Sequence, residues 1–568
     1  MQGRKLRLAK SLDRHEGREV KLSYVHGVGT TPLIADTIGG ALNGAAERWG
    51  DRDALVACHQ QLRYSYRELR DEADRAARAL IALGVQRGDR VGIWSGNRAE
   101  WMVTQYAAAK AGAVLVNINP AYRLRELEYA LSHSGLSVLI AARRFRSTDY
   151  VETLLRLIPE LRSTRTGPIQ AQQVPAIRRV VYLGTEAEPG GIAWAEFLDL
   201  ADRVSASELE ARETALQFDD PVNIQYTSGT TGSPKGATLS HHNILNNGYF
   251  VGEVLRYTER DRICLPVPFY HCFGCVLGNM AAVTHGSAVV IPGESFDPDA
   301  TLQAIQNHGC TSIYGVPTMF IAQLEHPRFS SVRLETLRTG IMAGAPCPID
   351  VMRQVIDRMH VPQVTICYGM TETSPVSFQS ETDDPIELRV STVGRVLPHL
   401  ECKIVDPETG LIVPRGTPGE LCTRGYAVML GYLYIRNVSA FQSIFKYFEQ
   451  LRAKADETVD AVSELIAISN LDDFRAACTS QMQMMSKLAQ IARQPYLSRV
   501  TMADIRRTID AFELQVEIVR DKGEDKLLFE QSPQKRWLIL KLLDDDFLGS
   551  VMTNEKYEVN SKSVLRRQ

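Results

Sequence analysis

The stretch Tyr226–Gly236, YTSGTTGSPKG, gathers several hydroxyl side chains, three glycines and a lysine. The hydroxyls include Thr227, Ser228, Thr230 and Thr231, the glycines are Gly229, Gly232 and Gly236, and the lysine is Lys235. Glycines let backbone N–H groups approach phosphate oxygens, hydroxyls donate further hydrogen bonds, and the lysine neutralises charge. The stretch is therefore read as a phosphate-binding loop rather than a polar surface loop. It is not the G-x-x-x-x-G-K-[ST] loop, because Pro234 stands where that loop needs glycine. Nor is it a G-x-S-x-G elbow, because Tyr226 takes the first glycine position, which makes Ser228 a poor candidate nucleophile.

Four further stretches carry groups able to do chemistry. PFYHCFG, Pro268–Gly274, holds His271. AGAP contains Gly344, Ala345 and Pro346. YGMTETSP, Tyr368–Pro375, sets an aromatic ring and Gly369 just before Thr371 and Glu372. GELCTRG, Gly419–Gly425, comes last. Cys272 and Cys275 have C-x-x-C spacing, which metal and redox sites also use. No second ligand pair at suitable spacing accompanies them, so they are not read as a metal site.

The elements that must position these groups alternate. Arg90–Ser95, Ala113–Ile118, Ser137–Ala141 and Arg178–Leu183 are short and nearly continuous in apolar residues, the pattern of strands buried on both faces. Between them, Tyr66–Leu83, Arg98–Ala111 and Leu124–Ser132 have helical periodicity. Such alternation predicts an α/β fold, with mostly parallel sheets covered by helices.

Taken in order, the five stretches resemble the adenylate-forming (AMP-binding) superfamily, which includes acyl-CoA synthetases, firefly luciferases and peptide-synthetase adenylation domains. WSGNRAEW at Trp94–Trp101, VNINPAYR at Val116–Arg123 and the segment Phe145–Tyr150 most resemble the medium-chain fatty acyl-CoA synthetase type. The resemblance covers about residues 23–434. It implies that Thr227, Ser228, Gly229, Thr230, Thr231, Gly232 and Lys235 cradle the β- and γ-phosphates of ATP. By the same resemblance Gly344, Ala345 and Pro346 contact adenine, Tyr368 and Gly369 stack against it, Thr371 meets the α-phosphate, Glu372 holds Mg2+ and His271 lines the acyl pocket. Lys235, His271, Thr371 and Glu372 would be the catalytic set. The implied reaction joins a fatty acid to ATP as acyl-AMP with release of pyrophosphate, after which the CoA thiol displaces AMP. Such chemistry rests on positioning and charge neutralisation.

The resemblance stops at Met429–Tyr432, MLGY. The family continues with a T-G-D motif whose Asp binds ribose, then a hinge and a small lid domain with a catalytic lysine. No T-G-D occurs in this chain. Losing a charged partner for ribose costs roughly 1.5–3 kcal/mol, and the lysine would be missed in the transition state. The expectation is a synthetase of impaired activity.

Composition marks the same region. Of 40 Gly and 25 Pro, two of each (Gly523, Gly549, Pro495 and Pro533) lie beyond Tyr434, and none of the 12 His does. Gly and Pro punctuate turns, so the last part is poorer in turns than the first. Three segments are expected: a polar extension over 1–22, the synthetase-like domain over 23–434 and an unrelated module over 435–568. In the module, Ser439–Ala467, Leu471–Ala492, Met502–Phe512 (capped by Thr501) and Gln534–Phe547 read as helices. Leu514–Val519 and Lys526–Glu530 read as a hairpin around Asp521–Asp525, and strand-like residues follow Phe547. This is a small, helix-rich α+β pattern. Ser532–Lys562 resembles the C-terminal domain of relatives of Kiwa anti-phage defence protein B. That implies a protein or nucleic-acid partner, although 435–568 holds 20 Lys/Arg against 20 Asp/Glu and so has no basic footprint. Asp544–Asp546 are consecutive residues that point in different directions on a helix, and they read as a solvated end. The alternative to a synthetase is a non-catalytic fusion acting through this module, or a recombination product.

The whole chain of 568 residues has 64 Lys+Arg against 67 Asp+Glu, a net charge of -3, and 44% hydrophobic residues. That balance provides no long-range field toward nucleic acid or anionic membrane. No apolar run reaches the roughly 18 residues that cross a bilayer. The N-terminus is basic without an apolar core, so it is not read as a secretory signal. Ten scattered cysteines suit a reducing, cytoplasmic setting.

Overall fold

The computed structural model describes residues 21–164, 167–227 and 234–433. It also describes 459–460, 468–480, 502, 505–506, 509–510, 516–521, 523–528, 547–549, 556–561 and 564–567. The chain divides into two compact units, Met1–Tyr434 and Ile435–Gln568.

In the large unit the apolar runs become strands within a residue of their expected bounds. Arg90–Trp94, Val114–Ile118, Val138–Ala141 and Arg179–Tyr182 lie side by side and parallel. Pro221–Thr227 joins them in parallel beside Val114–Ile118. It then turns back through an antiparallel strand, Lys235–Ser240, so the phosphate-loop sequence links two antiparallel strands. The last strand of this sheet, Gly431–Tyr432, pairs with Lys235–Ser240. A second sheet orders Gln363–Thr365, Thr339–Met342, Ser312–Gly315, Arg262–Cys264, Ala288–Ile291, Asp53–Ala57 and Leu62–Ser65, all parallel except the last pair. Two three-stranded antiparallel sheets, Tyr24–His26 with Leu400–Val405 and Glu420–Gly425, and Cys367–Gly369 with Val376–Gln379 and Arg395–Val396, and a two-stranded one, Arg144–Phe145 with Thr148–Asp149, complete the described sheets of this unit.

Helices cover the large sheets. Tyr66–Ala82 begins at Ser65, whose hydroxyl accepts the Glu68 N–H while the Glu68 carboxylate accepts the Ser65 N–H. This reciprocal cap satisfies two otherwise orphaned donors. Ala99–Lys110 is buried along almost its whole length, hence its lack of a polar face. His241–Val254 is capped by Ser240 in the same reciprocal way through Asn243. One continuous apolar core runs through these helices and both sheets, from Leu42 and Trp94 to Val289 and Ile341.

In the small unit Leu471–Ser480 is helical, the first half of the expected Leu471–Ala492 helix. The expected hairpin forms, but its strands are Ile518–Asp521 and Glu524–Leu528, so the turn is shorter than the sequence suggested. Gly523, at φ 92°, adopts the left-handed conformation that lets the chain reverse so tightly. Phe547 corrects the expected Gln534–Phe547 helix: it opens a strand, Phe547–Gly549, paired with Lys556–Ser561, which pairs in turn with Val564–Arg567. Phe547 lies opposite Glu558 in register, so the ladder occupies backbone groups that a helix end would leave without partners. Ser439–Ala467 apart from 459–460, the remainder of Leu471–Ala492, Thr501 and residues 534–546 (Asp544–Asp546 included) lie outside the described residues, as do 1–20 of the expected extension. No described helix is long and apolar enough to cross a membrane.

His241 makes the large unit sensitive to acid. Its ring is buried and its Nδ1 accepts the Ile38 N–H at 3.1 Å. Burial lowers its pKa from 6.5 to about 4, against a weaker opposing pull from Asp220. The unfolded chain therefore binds the proton first as pH falls. The contribution is complete above pH 6.5 and is lost toward pH 4, by up to about 3 kcal/mol. Denaturant unfolding of His241→Asn, whose amide oxygen can take the Ile38 N–H, is expected to lose less stability over that interval than the parent chain. Identical pH profiles would place the acid sensitivity elsewhere.

Candidate active site

The carboxyl ends of strands from both large sheets open onto one cavity of about 670 Å³. Asn119 and Tyr122 follow Val114–Ile118, Thr227 ends Pro221–Thr227, Ala343 and Gly344 follow Thr339–Met342, and Cys367–Gly369 comes two residues after Gln363–Thr365. Ligands in open α/β sheets bind at such strand ends. The cavity also draws in His271, Cys272, Phe273, Leu277, Thr371, Glu372 and Val376.

Of the residues the sequence singled out, the cavity brings together Thr227, His271, Gly344, Tyr368, Gly369, Thr371 and Glu372. Ala345 and Pro346 are exposed and follow the lining residues Ala343 and Gly344. Gly344 sits at φ +83°, so its backbone turns away at the end of its strand. Ser228, Gly229, Thr230, Thr231 and Gly232 lie outside the described residues.

Glu372 is the centre of the polar side. Tyr432 donates to its Oε1 at 2.7 Å, and the Thr227 hydroxyl lies 3.4 Å from the same oxygen. Lys235 does not line the cavity; its Nζ rests 5.2 Å from the centre of the Tyr432 ring. The Glu372 carbonyl accepts the Met429 N–H at 2.9 Å, a second link to the chain that leads into Gly431–Tyr432. Glu372 thus joins the strand before the phosphate loop to the last strand of the same sheet.

Tyr368 is 41% exposed, with one ring edge against Phe378 and the remainder available to a planar ligand. A Cβ on Gly369 would stand 1.8 Å from the Pro375 carbonyl oxygen, so only glycine permits the chain to fold back beside this ring. Thr371 is buried, its hydroxyl 3.8 Å from the Cys272 sulfur. His271 Nδ1 accepts the Phe273 N–H at 3.1 Å. The surrounding protein lowers its pKa, although part of the ring opens to the cavity. At neutral pH the ring is therefore uncharged, and with Nδ1 accepting, its proton belongs on Nε2. Burial pushes the Cys272 thiol up to about 12 and that of Cys275 up as well, so both remain protonated.

One helix, Leu124–Ser134, braces both ends of the phosphate loop. The Tyr226 hydroxyl donates to the Ala130 carbonyl at 3.2 Å and lies 3.0 Å from His133 Nδ1. The Tyr129 hydroxyl donates to the Pro234 carbonyl at 2.9 Å. Beneath Asn119, Trp94 and Tyr150 stack at 3.5 Å between ring centres; Trp94 Nε1 donates to the Asn119 carbonyl and the Tyr150 hydroxyl to that of Pro120.

Sequence reasoning missed Tyr432, Tyr226, Asn119 and Tyr122 as site residues. Tyr226 opens the phosphate-loop stretch and Asn119 and Tyr122 lie in VNINPAYR, so motif membership could have flagged them. Tyr432 had no local signal, because its role follows from a contact with Glu372, 60 positions earlier.

Residues 42–433 match the family model described as AMP-binding enzyme, and residues 426–553 match the model described as Kiwa protein KwaB-like. YngI of Bacillus subtilis is 46% identical over 400 residues, spanning 70% of this chain and 73% of that protein. The medium-chain acyl-CoA ligase ACSF2, mitochondrial, of Danio rerio is 42% identical over 412 residues, 72% of this chain and 68% of that protein. Among solved structures, an anthranilate CoA ligase, AuaEII, in complex with anthranoyl-AMP has the same fold, with a TM-score of 0.60 and 24% identity over 71% of this chain and 72% of that one. Over residues 42–433 the chain belongs to the AMP-binding enzyme family, whose members most similar to it include acyl-CoA ligases.

Proposed function

We propose that the large unit activates a fatty acid, of medium chain length, with ATP and passes the acyl group to CoA. The observation that carries this reading is the convergence of Thr227, His271, Gly344, Tyr368, Thr371 and Glu372 on one cavity at the carboxyl ends of strands. A carboxylate oxygen of the acid attacks the α-phosphorus, an O–P bond forms, and pyrophosphate leaves with the electrons of the broken P–O bond. The CoA sulfur, losing its proton, then attacks the acyl carbon and AMP departs.

Each residue has a part in this reaction. Tyr368 stacks on adenine against Gly344, and Thr371 donates to the α-phosphate. Lys235 and the loop from Thr227 to Gly232 neutralise and orient the outer phosphates. His271, neutral with its proton on Nε2, donates to the acid carboxylate without locking it into an ion pair. The donors near the phosphates are hard oxygens, from Glu372 and Thr227, which suits Mg2+. Among the described residues no three His, Cys, Asp or Glu side chains cluster as a metal cage. Mg2+ would be held by the Glu372 carboxylate together with substrate phosphates. When bound, it neutralises charge on the phosphates. The chain has no T-G-D motif and no recognisable lid lysine, so adenylation is expected to be slow.

The match of residues 426–553 to a KwaB-like family model favours a second reading, in which 435–568 binds a protein or nucleic-acid partner.

Two measurements test these readings. Pyrophosphate release from ATP by the full chain, with a panel of fatty acids, is expected to depend on the acid. The Lys235→Ala, Glu372→Ala double variant should reduce it by at least about a hundredfold. Release equal in parent and variant would reject the synthetase reading. For the second reading, the full chain is titrated with double-stranded DNA at rising salt. Binding that weakens steeply with salt supports a nucleic-acid partner, while none at low salt leaves a protein partner as the form to pursue.

A further inference from the structure

The segment Val267–Asn279 carries His271, Cys272, Phe273 and Leu277 into the cavity wall. It contains only one four-residue helix before Asn279, Cys272–Cys275, so several of its backbone groups have no regular partner. Buried side chains from other elements supply them. Asn97 Nδ2 donates to the Val267 carbonyl and its Oδ1 accepts the Phe269 N–H, both at 2.8 Å. Asn117 Nδ2 donates to the Tyr270 carbonyl at 3.1 Å, Gln105 Nε2 to the Cys275 carbonyl at 3.0 Å and the Tyr314 hydroxyl to the Leu277 carbonyl at 3.1 Å.

These donors are themselves fixed. Asn117 Oδ1 accepts from Asn223, whose own oxygen accepts from Gln225, so three amides form a chain across two neighbouring strands. Tyr314 accepts from the Tyr257 hydroxyl, which is 2.6 Å from the Ser312 hydroxyl. The Tyr314 ring also stacks on Phe273, with ring centres 5.7 Å apart. A position inside a doubly covered parallel strand ordinarily takes Val or Ile. Polar groups at Asn117 and Tyr314, in two different sheets, are thus aimed at the two ends of one wall. Along that wall accessibility falls from the exposed His271 to Phe273 and Leu277, both buried. On the acid-activation reading, His271 lies toward the acid's head and the buried Leu277 toward its tail.

From this geometry we infer that Asn117 and Tyr314 are positioning residues for the acid-binding wall: Asn117 places the head of the acid through Tyr270–His271, and Tyr314 sets how long a tail fits, through Phe273 and Leu277. The inference rests on the acid-activation reading.

The test uses binding by the full chain, so slow turnover does not obscure it. Affinities for acyl-sulfamoyl adenosines of increasing chain length, non-hydrolysable mimics of the acyl-adenylate, are measured by calorimetry for the parent chain, Asn117→Leu and Tyr314→Phe. Tyr314→Phe keeps the ring stack and removes only the hydroxyl. It is expected to change the ratio of long-chain to short-chain affinity by about tenfold, with the shortest probe bound as before. Asn117→Leu is expected to weaken all chain lengths together, by about tenfold. Lost stability alone would not alter a chain-length ratio in a folded sample, and thermal unfolding of each variant confirms that it is folded. Should Asn117→Leu fail to fold, Tyr314→Phe decides by itself. Unchanged ratios in Tyr314→Phe overturn the inference while the acid-activation reading stands. A parent chain that binds none of the probes overturns both.

Discussion

A buried stretch of backbone with little regular secondary structure must find a partner for each carbonyl it buries. That constraint governs the large unit. An unpaired buried carbonyl costs about 1–3 kcal/mol, and Val267–Asn279 presents several. The sheets answer with Asn117 and Tyr314, and the region before and within helix Ala99–Lys110 answers with Asn97 and Gln105. The polar residues inside otherwise apolar elements are therefore the supports of a wall. Phe273 and Leu277 can line a cavity because the chain behind them is held at both ends.

The same logic applies at the polar end. Glu372 receives Tyr432 and Thr227 on a single oxygen, and Tyr432 in turn lies beneath the Lys235 ammonium. Three elements far apart in sequence meet in this arrangement: the strand before the phosphate loop, the TET turn and the last strand of the sheet. One helix holds the two ends of the loop: Tyr226 donates to its Ala130 carbonyl, and its Tyr129 donates to Pro234. The loop's ends are placed by aromatic hydroxyls rather than by charge, so they keep their position over a wide pH range. Burial raises the pKa of Tyr226 and Tyr129 and keeps both as donors.

Much of this was legible from local pattern. The composition of Tyr226–Gly236 singled out a stretch whose ends, Thr227 and Pro234, line the cavity, and apolar runs such as Arg90–Ser95 and Ala113–Ile118 located the central strands, because burial on both faces leaves a continuous signature. The family likeness placed His271, Tyr368, Thr371 and Glu372, which the structure gathers in one cavity. Asn117, Tyr314 and Tyr432 were not legible, since their meaning lies in contacts 153, 37 and 60 positions away. A single asparagine in VLVNI gives no local sign of the carbonyl it will meet. The hairpin turn at Gly523 was read too long for a related reason: charged residues at Asp521, Glu524 and Asp525 look like loop, but they pair across the ladder as Asp521 with Glu524 and Arg520 with Asp525.

Charge accounts for what the site would do well and what it would do slowly. Among the described lining residues Glu372 is the one carboxylate, and no lysine or arginine is included. His271 is neutral and Cys272 stays protonated. The described cavity wall therefore supplies shape, stacking and hydrogen bonds rather than positive charge. Lowering the barrier to reaction requires positive charge placed where negative charge gathers on the phosphates. Lys235 stands outside the lining with its ammonium over Tyr432, and the sequence beyond Tyr434 contains no recognisable counterpart of the family's lid lysine. Under the acid-activation reading, the described wall orients the ligands, and the bound cation, Lys235 and the loop it follows must bring the charge that speeds the reaction.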